Sequence, residues 1–439
     1  MAFDLVLNCG IILSAHNGYE PFIGSVAVEG ERIALVKPGS IARSEAAKWI
    51  DATGKIILPG LVNAHCHGDM TLARGLGDDL TLLEQIQRFS DTNWFYSLIS
   101  DDDRFYSRQL TYAEALLSGT TFLCENMYWS LGARSVTAMA QTGIQGALCE
   151  DIRADFSKPG TFVGDGWLKA FADLCRVEGL VPVLGSISEE DFDPSLVRRV
   201  CEKAKTLGMH ETRHLAENDW RVEMVREKFG TTPIRFLHAE GALHPGMIGS
   251  HGVYSDAEEA QLLAQNGVSV ANTPLCECKI ADGVAPVPLY LKHGVNVCLG
   301  TDGAMWNNSN DVFREMKGMA LLHTATSGIR AVSARDVLNM ATVNGCRAFG
   351  ITDAGTLEAG MRANIVLLDA ANPHMAPLRL GKYENIASAV VYCATGRDVT
   401  DVFVSGRHVV EHGQLTTLDV SKLIARVTEA SLKIAEGLE

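Results

Sequence analysis

Between residues 59 and 360 the chain alternates strand-like and helix-like stretches, and this alternation constrains the fold more than any other feature. The strand candidates are residues 61–67, 120–125, 144–149, 180–185, 209–215, 247–252, 268–272 and 296–302. Helical patterns separate most of them, for example Ala113-Glu114-Ala115-Leu116-Leu117 and Ala257-Glu258-Glu259-Ala260-Gln261-Leu262-Leu263. Strands joined through helices must run parallel, and eight such units over about 300 residues predict an α/β fold, the (β/α)8 barrel. The two chain ends read differently. Leu5-Val6-Leu7, Ser25-Val26-Ala27-Val28 and Ile33-Ala34-Leu35-Val36 are β-rich, and so are Asn364-Ile365-Val366-Leu367-Leu368 and the stretch from Asp401 to Val410. Neither end can close a core alone. The expected organisation is therefore a small β-sandwich built from residues 1–58 and 361–439, with a terminal helix from about Ser421, around a barrel at 59–360.

Composition narrows the function classes. Apolar residues make up 47% of the chain, enough for a large core, and disorder is excluded over most of its length. Lys and Arg number 38 against 53 Asp and Glu, a net charge of −15 that disfavours a nucleic-acid partner. Eleven cysteines, an odd number scattered through apolar stretches, indicate a reducing compartment rather than a disulfide scaffold. Met1-Ala2-Phe3-Asp4-Leu5 lacks the basic start of a signal peptide, and no apolar run reaches the ~20 residues of a membrane span. A cytoplasmic protein with no membrane partner is expected.

The chemistry is carried by Pro59-Gly60-Leu61-Val62-Asn63-Ala64-His65-Cys66-His67. Side chains two apart on a strand point the same way, so His65 and His67 share a face near the C-terminal mouth, where such barrels keep their active sites. Two imidazoles there start a Zn²⁺ or Fe²⁺ site, although the pair alone also suits two polar residues at a strand end. Other strand ends add donors: His214 in His214-Leu215-Ala216-Glu217, His251 in Ser250-His251-Gly252, and Asp302 in Leu299-Gly300-Thr301-Asp302-Gly303. His65, His67, His214 and Asp302 can fill a mononuclear site that keeps a place for water, as a catalytic metal needs. His251 is either a further ligand or a hydrogen-bonding partner of that water.

These segments occur in the order found in the amidohydrolase superfamily, and the chain resembles its branch of cytosine, guanine, adenosine-analogue and triazine hydrolases over almost its whole length. The run Asp302-Gly303-Ala304-Met305-Trp306-Asn307-Asn308 adds to the likeness. The resemblance implies that His65, His67, His214 and Asp302 hold one divalent metal, Zn²⁺ first and Fe²⁺ as the alternative. It implies Glu217 as proton shuttle, His251 beside the attacking water, and Asp302 as the acceptor of that water's proton. It also implies a small heterocyclic substrate, purine-, pterin- or triazine-like, hydrolytic release of ammonia, and a homo-oligomer such as a dimer. A chlorohydrolase or N-dealkylating enzyme of a triazine-like ring would use the same attack with another leaving group. A non-catalytic scaffold should have lost ligands, and this chain keeps them all.

Substrate contacts are sought at the mouth among Met70, Arg74, Trp94, Glu125, Asn126, Arg153, Trp306 and Asn307, the two tryptophans as stacking partners for a planar ring. Two features depart from the branch. The fourth strand runs into Gly185-Ser186-Ile187-Ser188-Glu189-Glu190 where adenosine-analogue deaminases carry a His-Ala-Pro segment, and no ribose-binding carboxylate stands out between Gln87 and Asp101. Both argue against a nucleoside. The spacing of Cys276 and Cys278 is compatible with a second metal, but no further Cys pair accompanies it. Glu211-Thr212-Arg213 is more charged than a barrel strand should be.

Overall fold

The computed structural model of the chain describes residues 2–89, 98–126, 131–153 and 162–437, in two compact units. One unit takes residues 1–63, 113–122 and 311–419. It contains a nine-stranded sheet drawn from both chain ends. From the first end come β1 (Phe3–Ile12), β2 (Phe22–Glu29), β3 (Arg32–Pro38), β4 (Ala46–Asp51) and β5 (Lys55–Pro59). The other end supplies β14 (Ile365–Asp369), β15 (Val399–Val404), β16 (Arg407–Glu411) and β17 (Gln414–Leu415). The ends meet where β5 pairs antiparallel with β14, Ile57 opposite Leu367. Leu5, Leu7, Val26, Val28, Ile57, Ile365 and Leu367 share one apolar cluster, while the alternate residues Val6 and Ala27 join another with Trp49. Both faces of these strands are thus covered, which is why Leu5-Val6-Leu7 is apolar throughout instead of alternating.

The eight expected barrel strands are all present as one parallel sheet in chain order. They are β6 (Leu61–Cys66), β7 (Thr120–Glu125), β8 (Gln145–Glu150), β9 (Val181–Ile187), β10 (His210–Leu215), β11 (Met247–His251), β12 (Ser269–Asn272) and β13 (Asn296–Leu299). The ring closes just beyond β13, where the Thr301 and Asp302 N–H groups donate to His65 O at 3.0 and 2.9 Å. Gly300 makes that approach possible, since a Cβ there would lie 2.8 Å from His65 Cβ and 2.9 Å from His65 O.

The terminal helix Val420–Glu436, expected with the second β segment, belongs instead to the barrel's unit. Its buried stripe Leu423, Val427, Ala430 and Ile434 follows helical spacing, and Val427, Ala430 and Ile434 pack in one cluster with Met70, Leu72 and Trp306. All eleven cysteines are free thiols. Among the described residues no helix is long and apolar enough to cross a membrane.

Candidate active site

Five side chains converge at the C-terminal ends of the barrel strands. His65 is the last residue but one of β6, His67 follows the strand, His214 lies near the end of β10, His251 ends β11, and Asp302 lies beyond β13; each is at most 4% exposed. Strand alternation brings His65 and His67 to the same side, with ring centroids 4.9 Å apart, and His214 lies 5.3 and 5.5 Å from them. Asp302 Oδ1 is 3.6 Å from His65 Nε2 and 3.5 Å from His67 Nε2. Two donors each about 2.1 Å from a tetrahedral zinc sit roughly 3.4 Å apart, so these separations suit one shared cation. Candidate ligand atoms of His65, His67 and His214 all lie within 4.8 Å of one another, as do those of His65, His251 and Asp302. The imidazole and carboxylate donors fit a borderline divalent ion.

Backbone strain aims part of this set. Ala216, His251 and Asp302 take φ of 48°, 73° and 61°, a left-handed conformation that costs non-glycine residues roughly 1–3 kcal/mol each. All three stand at or just beyond the end of a barrel strand, and two of them, His251 and Asp302, are members of the converging set.

A surrounding layer orients the rings. His65 Nδ1 lies 2.7 Å from Ser250 Oγ and 2.8 Å from the Asn126 side-chain amide, and His214 Nδ1 lies 3.1 Å from Ser188 Oγ. These contacts hold Nδ1 outward and leave Nε2 toward the centre. Thr273 donates its hydroxyl hydrogen to Glu277 Oε1 at 3.2 Å and takes a contact from His251 Nδ1 at 2.9 Å. Burial acts against the protonated form of His251, but the carboxylates of Glu217, Glu277 and Asp302 outweigh it and raise its pKa to about 10. Burial lowers His67 to about 3 despite Asp302. Asp302 is held well below the carboxylate range by His65, His67 and His251, although burial opposes this.

Glu217 lies just beyond β10, with Oε1 3.7 Å from His251 Nε2 and Oε2 held by the Arg221 guanidinium. Arg221 is fixed in turn by Glu190, 2.7 Å away. Asp282, 4% exposed, stands within hydrogen-bonding reach of Glu217; burial and then the Glu217 charge raise its pKa above the usual carboxylate range. Sequence reasoning missed Ser188, Ser250, Thr273, Glu277, Arg221 and Asp282. Only Ser250, next to His251, and Arg221, one helical turn after Glu217, carried a positional signal.

Several expected substrate contacts have other partners. Glu125 accepts from the Gly68 N–H at 2.9 Å and faces Arg108, which also pairs with Asp69 at 2.8 Å, so it braces the loop after His67. Arg153 forms a fork with Asp151 and a 2.5 Å pair with Asp191. Asn307 donates to Thr301 O at 2.6 Å, Asn126 faces His65, and exposed Arg74 reaches Asn308 O at 3.3 Å. The Trp306 ring lies 5.3 Å from that of His67 and shares one apolar cluster with Met70. Trp94 lies outside the described residues. Cys276 and Cys278 do not converge on a second metal: Cys276 is buried and donates to Asp302 Oδ2 at 2.9 Å, whereas Cys278 is exposed. The segment that replaces the His-Ala-Pro pattern supports β10, through Ser188 on His214 and Glu189 on the Ala216 N–H.

The buried brace is open to a stability measurement. Arg108→Met leaves the Glu125 and Asp69 carboxylates buried with less compensation, and a loss of about 3–5 kcal/mol in urea unfolding is expected.

Comparison with known proteins gives one consistent result. The profile of the Amidohydrolase family matches residues 169–409. The chain is 34% identical to a 5-methylthioadenosine/S-adenosylhomocysteine deaminase of Moorella thermoacetica over 92% of this chain and 94% of that protein. A protein of the same name from Syntrophobacter fumaroxidans is also 34% identical, over 97% of each. Among solved structures, an adenosine deaminase from Xanthomonas campestris with bound zinc superposes with a TM-score of 0.92 at 27% identity, covering 99% of both chains. An atrazine chlorohydrolase from Arthrobacter aurescens complexed with zinc reaches 0.85 at 22% identity, over 97% of this chain and all of the other, and shares the fold.

Proposed function

Because the chain belongs to the amidohydrolase family, we propose that it is a zinc-dependent aminohydrolase of an aminated purine-like ring. The observation that carries this reading is the meeting of His65, His67, His214 and Asp302 at one buried point, with Glu217 beside it.

Those four residues would hold a divalent cation, which when bound would supply the acidification of a water molecule, from a pKa of about 16 to about 7. Asp302 takes the proton that the water loses. Glu217 takes the water's other proton and hands it to the ring nitrogen as negative charge builds there, and Arg221 keeps its carboxylate turned to the centre. His251, steadied by Thr273, donates toward the oxygen that adds to the ring carbon, and so stabilises the tetrahedral stage. The amino group then leaves as ammonia after receiving a proton through Glu217 or Asp302. Met70 and Trp306 give a planar ring an apolar wall to lie against.

The hydroxyls behind the rings have a measurable share in this. Ser188→Ala and Ser250→Ala are each expected to weaken metal retention by about 10–100-fold, read by competition with a chelator.

Ammonia release across a panel tests the reading. The panel spans adenine, guanine, adenosine, 5′-methylthioadenosine, S-adenosylhomocysteine, aminopterins and aminotriazines, with a chlorotriazine for chloride release. Ammonia from a purine is the expected result. The names of the relatives favour a nucleoside, against the departures at Gly185–Glu190, and the ratio of rates on adenosine and adenine decides this. Chloride from the chlorotriazine with no ammonia from any amine overturns the proposal.

A further inference from the structure

The charged residues at the start of β10 point away from the hydrolytic centre. His214 faces the barrel interior, so Glu211 and Arg213, at odd spacing from it, face outward into the layer under the helix Pro194–Leu207. Both are fully buried there. Arg213 pairs with Glu211 Oε1 through Nε and donates to Val197 O through Nη2 at 3.3 Å. Glu211 Oε2 remains, and two other donors come to it. Cys201 descends from the helix, 3% exposed, and His244 comes from the turn before β11, its Nε2 3.1 Å from Glu211 Oε2. The thiol, the imidazole and the carboxylate all lie within 4.8 Å of one another.

We propose that Cys201, Glu211 and His244 form a second metal site, distinct from the hydrolytic centre, for a thiophilic divalent cation of the Zn²⁺ class. The three donors are those that zinc takes in proteins, and a thiolate sets the preference apart from Mg²⁺ or Ca²⁺. None of them is used by the reaction proposed above. Loading balances as a proton exchange: the cation displaces the thiol proton, which goes to solvent. The ring proton moves from Nε2 to Nδ1. The Gly246 N–H now donates to Nδ1 at 3.2 Å, so that contact is given up on binding. The neighbouring Arg213 guanidinium also repels a cation. Both effects make this site the weaker of the two, so it empties first under a chelator.

Cobalt(II) reads the two sites apart, because the donor set His65, His67, His214 and Asp302 holds no sulfur. Full-length protein stripped of metal, loaded with Co²⁺ and desalted is expected to hold two equivalents and to show a near-ultraviolet thiolate-to-cobalt charge-transfer band. Cys201→Ser should remove the band and bring the content from two equivalents to one, with the visible spectrum of the remaining cobalt unchanged. His244→Gln, a second route if the serine variant folds poorly, should do the same. One equivalent in the parent protein with no charge-transfer band overturns the proposal, and so does a band that survives both variants. Neither readout depends on knowing the substrate.

Discussion

Glu217→Gln is expected to keep its metal and lose nearly all turnover. The amide has almost the shape of the carboxylate and can still sit against Arg221, so the fold and the imidazole cluster should be undisturbed. What it cannot do is accept a proton and pass it on. Positioned acid–base groups contribute about 10²–10⁴-fold, and the loss in kcat should fall at the upper end, because Glu217 sits 3.7 Å from His251 without belonging to the four-donor set. Metal content and kcat measured on one preparation check this; a variant with parental rates removes Glu217 from the mechanism.

Loss of the metal itself is the second large effect. Chelation is expected to bring ammonia release to background, and one equivalent of Zn²⁺ should restore it. Asp302→Asn should fail to recover in the same experiment. The carboxylate is the single anionic member of the four-donor set, and its neighbours His65 and His67 lie 3.6 and 3.5 Å from one of its oxygens. Its loss removes charge that attracts the cation and the base that takes the water's proton. A metal contributes several kcal/mol of transition-state stabilisation, so the deficit should be at least about a thousandfold. Rates of the stripped enzyme equal to those of the loaded one would contradict the metal requirement. Stepwise stripping adds a check, because the weaker Cys201 site should empty before activity falls.

Much of this site is legible in the order of the amino acids. His65 and His67 show themselves by a spacing of two on a strand, and His214, His251 and Asp302 by standing at the ends of strand-like runs. Barrel topology turns strand ends into neighbours, so residues more than two hundred positions apart can be placed together from the sequence. Partners set by loops are not legible in this way. Glu125 stands at a strand end like the others, yet its carboxylate turns to the Gly68 N–H and Arg108. Arg153 has the look of a substrate clamp, but Asp151 and Asp191 surround it.

The order of residues along the chain determined the parallel barrel, the joining of its two β-rich ends and the set of candidate metal donors at the strand ends, because hydrophobic periodicity and strand alternation are local and survive in one dimension. Tertiary structure alone decided which hydroxyl supports which ring, that Cys276 serves Asp302, that the last helix packs with the barrel's unit, and that Glu211 and Arg213 meet Cys201 and His244 behind the wall. Those pairings depend on where separate loops and helices come to rest, and on the left-handed turns at Ala216, His251 and Asp302, which packing imposes against local preference.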